Sequence, residues 1–159
     1  TLSNKREVGG EPVADIRIQH AQLRGIDIPE NQVALSIDEF PAIFIAAACA
    51  DGVTYLTGAE ELRVKESDRI QAMSDGLSIL GIKADPTFDG IRIVGGKIGS
   101  GRVFSHHDHR IAMAFSIAGL RAQGEIIVED CSNVATSFPS FVDIASSVGL
   151  TINIEASND

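Results

Sequence analysis

The chain has 159 residues, 44% of them hydrophobic, enough to bury a core in one domain or in part of a larger one. A formal net charge of −9 and a pI near 4.8 argue against nucleic acid or an anionic membrane as the main partner. Two cysteines, Cys49 and Cys131, are too few for a disulfide framework and lack metal-ligand spacing, and no apolar run reaches the roughly 18 residues of a membrane span. The expected compartment is the cytoplasm, and with Thr1 in place of an initiator Met the sequence reads as a piece of something longer.

Taken in order, residues 1–12 are polar and carry Gly9 and Gly10, which reads as a loop or linker. Alternation of Val13, Ile16 and Ile18 predicts a strand over 13–18. A short edge strand over 25–29 and another over 33–37 follow, separated by a turn at Pro29. Pro41, with Asp38 ahead of it as a candidate cap, opens a helix that is apolar all round and therefore expected to be buried on every side. Gly52 stops it, and residues 53–56 form a strand.

Next comes ELRVKESDR, residues 61–69, where three of the chain's thirteen basic residues (Arg63, Lys65 and Arg69) fall within seven positions. Ile70, Met73, Leu77 and Leu80 share one face of the helix that follows, with Ser67 as its expected N-cap and Gly81 as its stop. A hairpin over 82–94 turns at Asp89 and Gly90. Beyond the glycine-rich turn 95–101 the programme repeats. Asp108, His109 and Arg110 open a second apolar helix, ended by Gly124; a strand spans 125–129; Pro139 starts a helix stopped by Gly149; and 151–154 is a closing strand.

Asp38 matches Asp108, Gly52 matches Gly124 and Gly81 matches Gly149, a duplication with a period of roughly 70 residues. The units run over about 33–95 and 102–155, within a domain spanning 13–159. An all-round apolar helix must lie inside with sheets around it, so an α+β (α/β) domain of repeated units with buried helices and outward-facing sheets is expected.

Equivalent loops of the two units should then meet at one end. That gathers Asp38, the segment from Lys65 through Glu66 to Arg69, then Asp108, His109 and Arg110, and the Thr136–Ser137 turn. Arginine forks beside helix N-termini suit phosphate or carboxylate, and Asp38, Glu66 and His109 are groups able to move protons. Singly each has a plainer reading: Asp38 as a helix cap, Arg110 paired with Asp108, Arg63 paired with Glu61 or facing the way Lys65 does. A charged turn can also be a solvated one. Convergence is what points to a site.

RVKESDR, DHRIAMAFSIAGL and ATSFPSF, preceded by IDEFP and by GGEPVADI near the start, resemble the 5-enolpyruvylshikimate-3-phosphate synthase family in order and spacing, over nearly the whole chain. The resemblance implies the C-terminal part of a fold of βαβαββ-type units, with the N-terminal domain absent here. It implies transfer of the enolpyruvyl group of phosphoenolpyruvate to the 5-hydroxyl of shikimate 3-phosphate, with release of phosphate and with neither metal nor organic cofactor. By resemblance, Asp38 contacts the shikimate hydroxyls and acts as base, Lys65 lies near the reacting oxygens, and Glu66 handles the proton at the methylene carbon. Arg69 and Arg110 clamp phosphoenolpyruvate, and His109 is a neighbouring active-site residue.

Two positions depart from the family pattern. Glu61 stands where an asparagine is common and would repel phosphate unless paired with Arg63. Thr136 stands where a lysine is common and offers only a hydroxyl, so it is a candidate substrate ligand but no cation. The related transferase acting on UDP-N-acetylglucosamine is an alternative that KESDR and DHRIAMAF argue against. A second alternative is a non-catalytic anion-binding or docking domain, which this chain in isolation would be if half of its cleft is missing; the chain alone is expected to be inactive.

Overall fold

The computed structural model describes residues 1–155; residues 156–159, the end of the expected domain, lie outside them. The first element differs from the expected linker. β1 (Leu2–Val8) pairs antiparallel with β2 (Glu11–Ile16) through Gly9 and Gly10, whose φ angles of 62° and 87° suit a tight hairpin turn. All of β1 is exposed, which is why its sequence lacks apolar alternation.

Residues 24–28 run beside β3 (Val53–Leu56) without forming a full strand, making parallel bridges Arg24↔Asp51 and Asp27↔Tyr55. The expected strand over 33–37 is helical: α1 (Glu30–Val33) continues into a 3-10 turn over Ala34–Ser36. Val33 is buried and Ile37 half-buried, four apart, while Leu35 between them is 79% exposed. The spacing that looked like period two is thus one helical face.

α2 (Phe40–Ala48) carries Pro41 in its first turn and buries Phe40, Phe44, Ile45, Ala47 and Ala48. It is not enclosed on every side as its composition suggested. Ala42 and Ala46 open onto a groove of ≈ 470 Å³ shared with Met113, Ile117 and Leu120, and no described residue closes it. Beyond β3 a 3-10 helix spans Glu60–Val64, and α3 (Arg69–Ile79) follows. Asp68, not Ser67, caps α3: its Oδ1 accepts from the amide of Gln71 at 2.9 Å, while Ser67 turns its hydroxyl to Asp108.

β4 (Lys83–Pro86) and β5 (Ile91–Val94) form the expected hairpin, and β3 adds to β5 in a three-stranded antiparallel sheet of order β3-β5-β4. Its outer face carries Arg92 in register with Tyr55 and Asp85: the guanidinium sits 5.7 Å from the tyrosine ring centroid and 3.0 Å from the carboxylate. The inner face, with Thr54, Leu56, Ala84, Ile91 and Ile93, covers the helices.

In the second unit β6 (Gly101–Phe104) and β7 (Ile126–Glu129) are parallel, joined by α4 (His109–Ala118). The first unit has the same arrangement in residues 24–28, α2 and β3, so the duplication extends to topology. α4 ends at Ala118, well short of Gly124, where three-residue hydrogen bonds from Gly119 and Leu120 tighten its last turn. α5 (Val134–Ser137) and α6 (Phe141–Ser147) follow, and no strand forms over 151–155. Gly81 and Gly149 both stop helices with positive φ, at 79° and 105°.

α2, α3 and α4 pack on one another within one continuous hydrophobic core. α3 and α4 approach closely: a Cβ on Gly76 would lie 2.2 Å from Cζ of Phe115. The three helices enter this core from the same end, which sets their N-terminal loops side by side. Among the described residues, no helix is long and apolar enough to cross a membrane.

Candidate active site

Arg69, first residue of α3, is at the centre of that end and is wholly buried. Each of its three nitrogens meets a different carboxylate. Nε donates to Asp108 Oδ2 at 2.8 Å, Nη1 to Asp38 Oδ1 at 3.0 Å, and Nη2 to Glu66 Oε2 at 2.6 Å. A buried guanidinium requires such compensation, because an unpaired one carries a desolvation penalty of several kcal/mol. Burial by itself would ease proton loss from Arg69, but the bond and charge of Asp108, then those of Glu66 and Asp38, outweigh it and raise the pKa.

Asp108 is also fully buried. Its Oδ1 caps α4 by accepting from the amides of Arg110 and Ile111 at 3.0 and 3.4 Å, and its Oδ2 also receives the Ser67 hydroxyl at 3.1 Å. This one carboxylate therefore fastens the second unit's helix N-terminus to the KESDR segment of the first.

Asp38, its counterpart in the duplication, does not cap α2. With that role empty, its side chain is half exposed and faces three cations: Arg69 by hydrogen bond, Lys65 Nζ at 3.9 Å and Arg110 Nη2 at 3.9 Å. The Arg69 bond, opposed by burial and reinforced by the charges of Arg110, Lys65 and Arg69, holds the carboxyl below the usual aspartate range. Arg110 uses Nη1 for the Asp38 backbone carbonyl at 2.9 Å and Glu39 Oε1 at 3.2 Å. Lys65 donates to Glu61 Oε1 at 2.6 Å.

Asp38, Lys65, Glu66, Arg69 and Arg110 are thus one connected cluster. His109, at the first position of α4, is half-buried and has no hydrogen bond or ion pair to the cluster among the described residues. Thr136 lies on α5 with its hydroxyl on the Asn133 carbonyl at 2.8 Å, also apart from it. The pairing expected between Glu61 and Arg63 is absent: Glu61 takes Lys65, four residues on, and Arg63 takes Asp68 at 2.6 Å. Sequence reasoning gathered Asp108 at this end of the domain but gave it no part in the site, and gave Ser67 only a capping role; the equivalence of Asp38 and Asp108 was the available signal.

The cluster lies within the stretch over which the chain is similar to known proteins. The family model described as EPSP synthase (3-phosphoshikimate 1-carboxyvinyltransferase) matches residues 3–144. The chain belongs to the EPSP synthase family. A 3-phosphoshikimate 1-carboxyvinyltransferase of Methylococcus capsulatus is 67% identical over 149 residues, covering 94% of this chain and 34% of that protein. One from Halorhodospira halophila is 59% identical over 154 residues, covering 96% and 35%. A solved EPSP synthase from Acinetobacter baumannii superposes with a TM-score of 0.95 at 57% identity, over 98% of this chain and 37% of that one. The α/β architecture is therefore that of EPSP synthase structures, and the chain spans about a third of the length of the relatives it matches.

Proposed function

We propose that this chain supplies one wall of the cleft in an enzyme that moves the enolpyruvyl group of phosphoenolpyruvate to the 5-hydroxyl of shikimate 3-phosphate, releasing phosphate. The observation that carries the reading is the Arg69 hub, which holds two carboxylates able to handle protons, Asp38 and Glu66, on one guanidinium beside Arg110 and Lys65. Residues 13–159 are read as most of a C-terminal domain, and the remaining length of the relatives as the opposite wall. The cytoplasm is the proposed compartment.

In this reading Asp38, ionised well below neutral pH, accepts hydrogen bonds from the shikimate hydroxyls and receives the 5-hydroxyl proton as the oxygen attacks C2 of phosphoenolpyruvate. Glu66, entering in its acid form, delivers a proton to the methylene carbon, giving a tetrahedral intermediate; as the C–O bond to phosphate breaks it takes a methyl proton back, and the proton held by Asp38 leaves on the departing phosphate. Lys65 and Arg110 stabilise the charge that develops on the phosphate, an electrostatic effect worth several kcal/mol in a closed site. Arg69 is wholly buried behind Asp38, Glu66 and Asp108, so it meets phosphoenolpyruvate only as Asp38 and Glu66 draw off its Nη1 and Nη2 on substrate binding. His109 and Thr136 join the site as ligands on closure.

Titration of the isotope-labelled chain with phosphoenolpyruvate, with inorganic phosphate as control, tests this by NMR. Saturable shifts confined to amides around Lys65, Arg69 and Arg110, stronger than with phosphate, support the reading. An intact enzyme carrying this sequence that shows no enolpyruvyl transfer to shikimate 3-phosphate overturns it. The chain alone is proposed to be inactive, because it spans about a third of the length of its relatives and so supplies only one wall of the proposed cleft.

A further inference from the structure

Arg63 belongs to no part of the cluster, yet its guanidinium is as fully engaged as that of Arg69. Nε donates to the Phe88 carbonyl at 2.7 Å, Nη2 donates to the Thr87 carbonyl, and Nη1 donates to Asp68 Oδ2 at 2.6 Å. Thr87 and Phe88 form the tip of the β4–β5 hairpin, more than twenty residues along the chain. The same tip grips the start of the 3-10 helix from the other side: Asp89 accepts from the amides of Gly58, through Oδ2 at 2.8 Å, and of Ala59, through its carbonyl at 2.7 Å. A bond between the amide of Thr87 and the carbonyl of Gly90 at 2.8 Å closes the tip on itself.

Between Arg63 and Asp68 lie Val64, Lys65, Glu66 and Ser67. The ion pair closes this segment at its base, and Asp68 is in turn fixed as the cap of α3. Within the segment the backbone leaves helical geometry at Lys65, with φ −79° and ψ −156°, and has no ladder of its own. Side-chain bonds are what hold its course.

We propose that Arg63 is a positioning residue for the transfer reaction: it ties the segment bearing Lys65 and Glu66 to the tip of the β4–β5 hairpin. The inference rests on the proposed function for the word reaction, but the tie itself is a separate claim. Lysine in its place keeps the charge and loses the fork that spans two carbonyls and a carboxylate. Asn in place of Asp68 keeps the cap of α3 and turns an amide donor or a neutral oxygen toward Arg63.

The test compares wild type with Arg63→Gln, Arg63→Lys and Asp68→Asn. In the labelled chain, amide exchange and relaxation at 65–67 are read against those of the α3 interior. The expected result is loosening confined to 65–67 in Arg63→Gln and Asp68→Asn, partly restored in Arg63→Lys, with α3 protection unchanged. In an intact enzyme carrying the sequence, kcat falls about 10- to 100-fold, the scale of a misplacement near 1 Å, while KM for shikimate 3-phosphate holds. Order at 65–67 equal to wild type, or loosening that spreads evenly through α3, overturns the proposal. If Arg63→Gln does not fold, Asp68→Asn decides by the same comparison. An intact wild type without transfer activity would sink the proposed function, and exchange at 65–67 would still settle whether Arg63 holds the segment.

Discussion

Arg69 and Asp108 lie 39 positions apart, in different copies of the duplicated unit, and join at 2.8 Å with both side chains out of contact with water. Removing one partner of such a pair leaves a buried charge, which costs about 3–5 kcal/mol. Asp108→Ala should lower stability by that amount in urea unfolding, since it also uncaps α4. Asp108→Asn should lower it less, because the amide oxygen can still cap. Equal losses would mean that the charge, not the cap, is what Asp108 provides.

Asp38 should titrate below the ordinary aspartate value of about 3.9 when followed by carboxyl-carbon NMR. Because its folded-state pKa is the lower one, its contribution to stability is present above the unfolded value and is lost as pH falls through the folded one. The stability gap between wild type and Asp38→Asn should therefore shrink as pH drops below about 4. Arg110→Gln, which removes a cation from its surroundings, should move the Asp38 midpoint upward. A midpoint at or above the ordinary value would contradict the role given to the Arg69 bond.

Gly76→Ala decides between two opposing effects. Alanine improves helix propensity by about 1 kcal/mol, but its methyl would meet Phe115 at 2.2 Å, and overpacking costs about 1–3 kcal/mol. The net should be destabilising in denaturant unfolding, and Phe115→Leu in the same background should recover part of the loss. A more stable Gly76→Ala chain would show that α3 and α4 can move apart at little cost.

On the proposed function, Arg110→Ala in an intact enzyme should weaken phosphoenolpyruvate more than shikimate 3-phosphate. Hydrogen bonds to charged groups are worth about 1.5–3 kcal/mol, so the KM for phosphoenolpyruvate should rise by roughly 10- to 100-fold. Steady-state kinetics with each substrate varied would measure this. Equal losses for both would reassign the residue.

The apolar helices, the duplication and the KESDR and DHR segments were legible because helical periodicity and local spacing are properties of short stretches. What was not legible depends on partners far along the chain. Nothing local says that Lys65 rather than Arg63 takes Glu61, since the choice is made when the Thr87 and Phe88 carbonyls claim Arg63. The buried state of Arg69 was equally hidden, because three carboxylates from three segments create it. The second strand of the hairpin over 1–17 was expected, two residues late, but the first was missed for the opposite reason: a strand that buries nothing leaves no apolar trace, and only Gly9 and Gly10 marked the turn. At 33–37, two residues four apart satisfied both periods, and the exposure of Leu35 separates them.

The seam between the two copies makes the cluster a joint property of both. One copy alone holds Arg69, Asp38 and Glu66 but not the carboxylate that Nε meets, so without the second copy one of the three nitrogens of the central cation loses its partner. The charged end of the domain is complete only when both copies have folded against each other, and a lesion in either one reaches the same guanidinium.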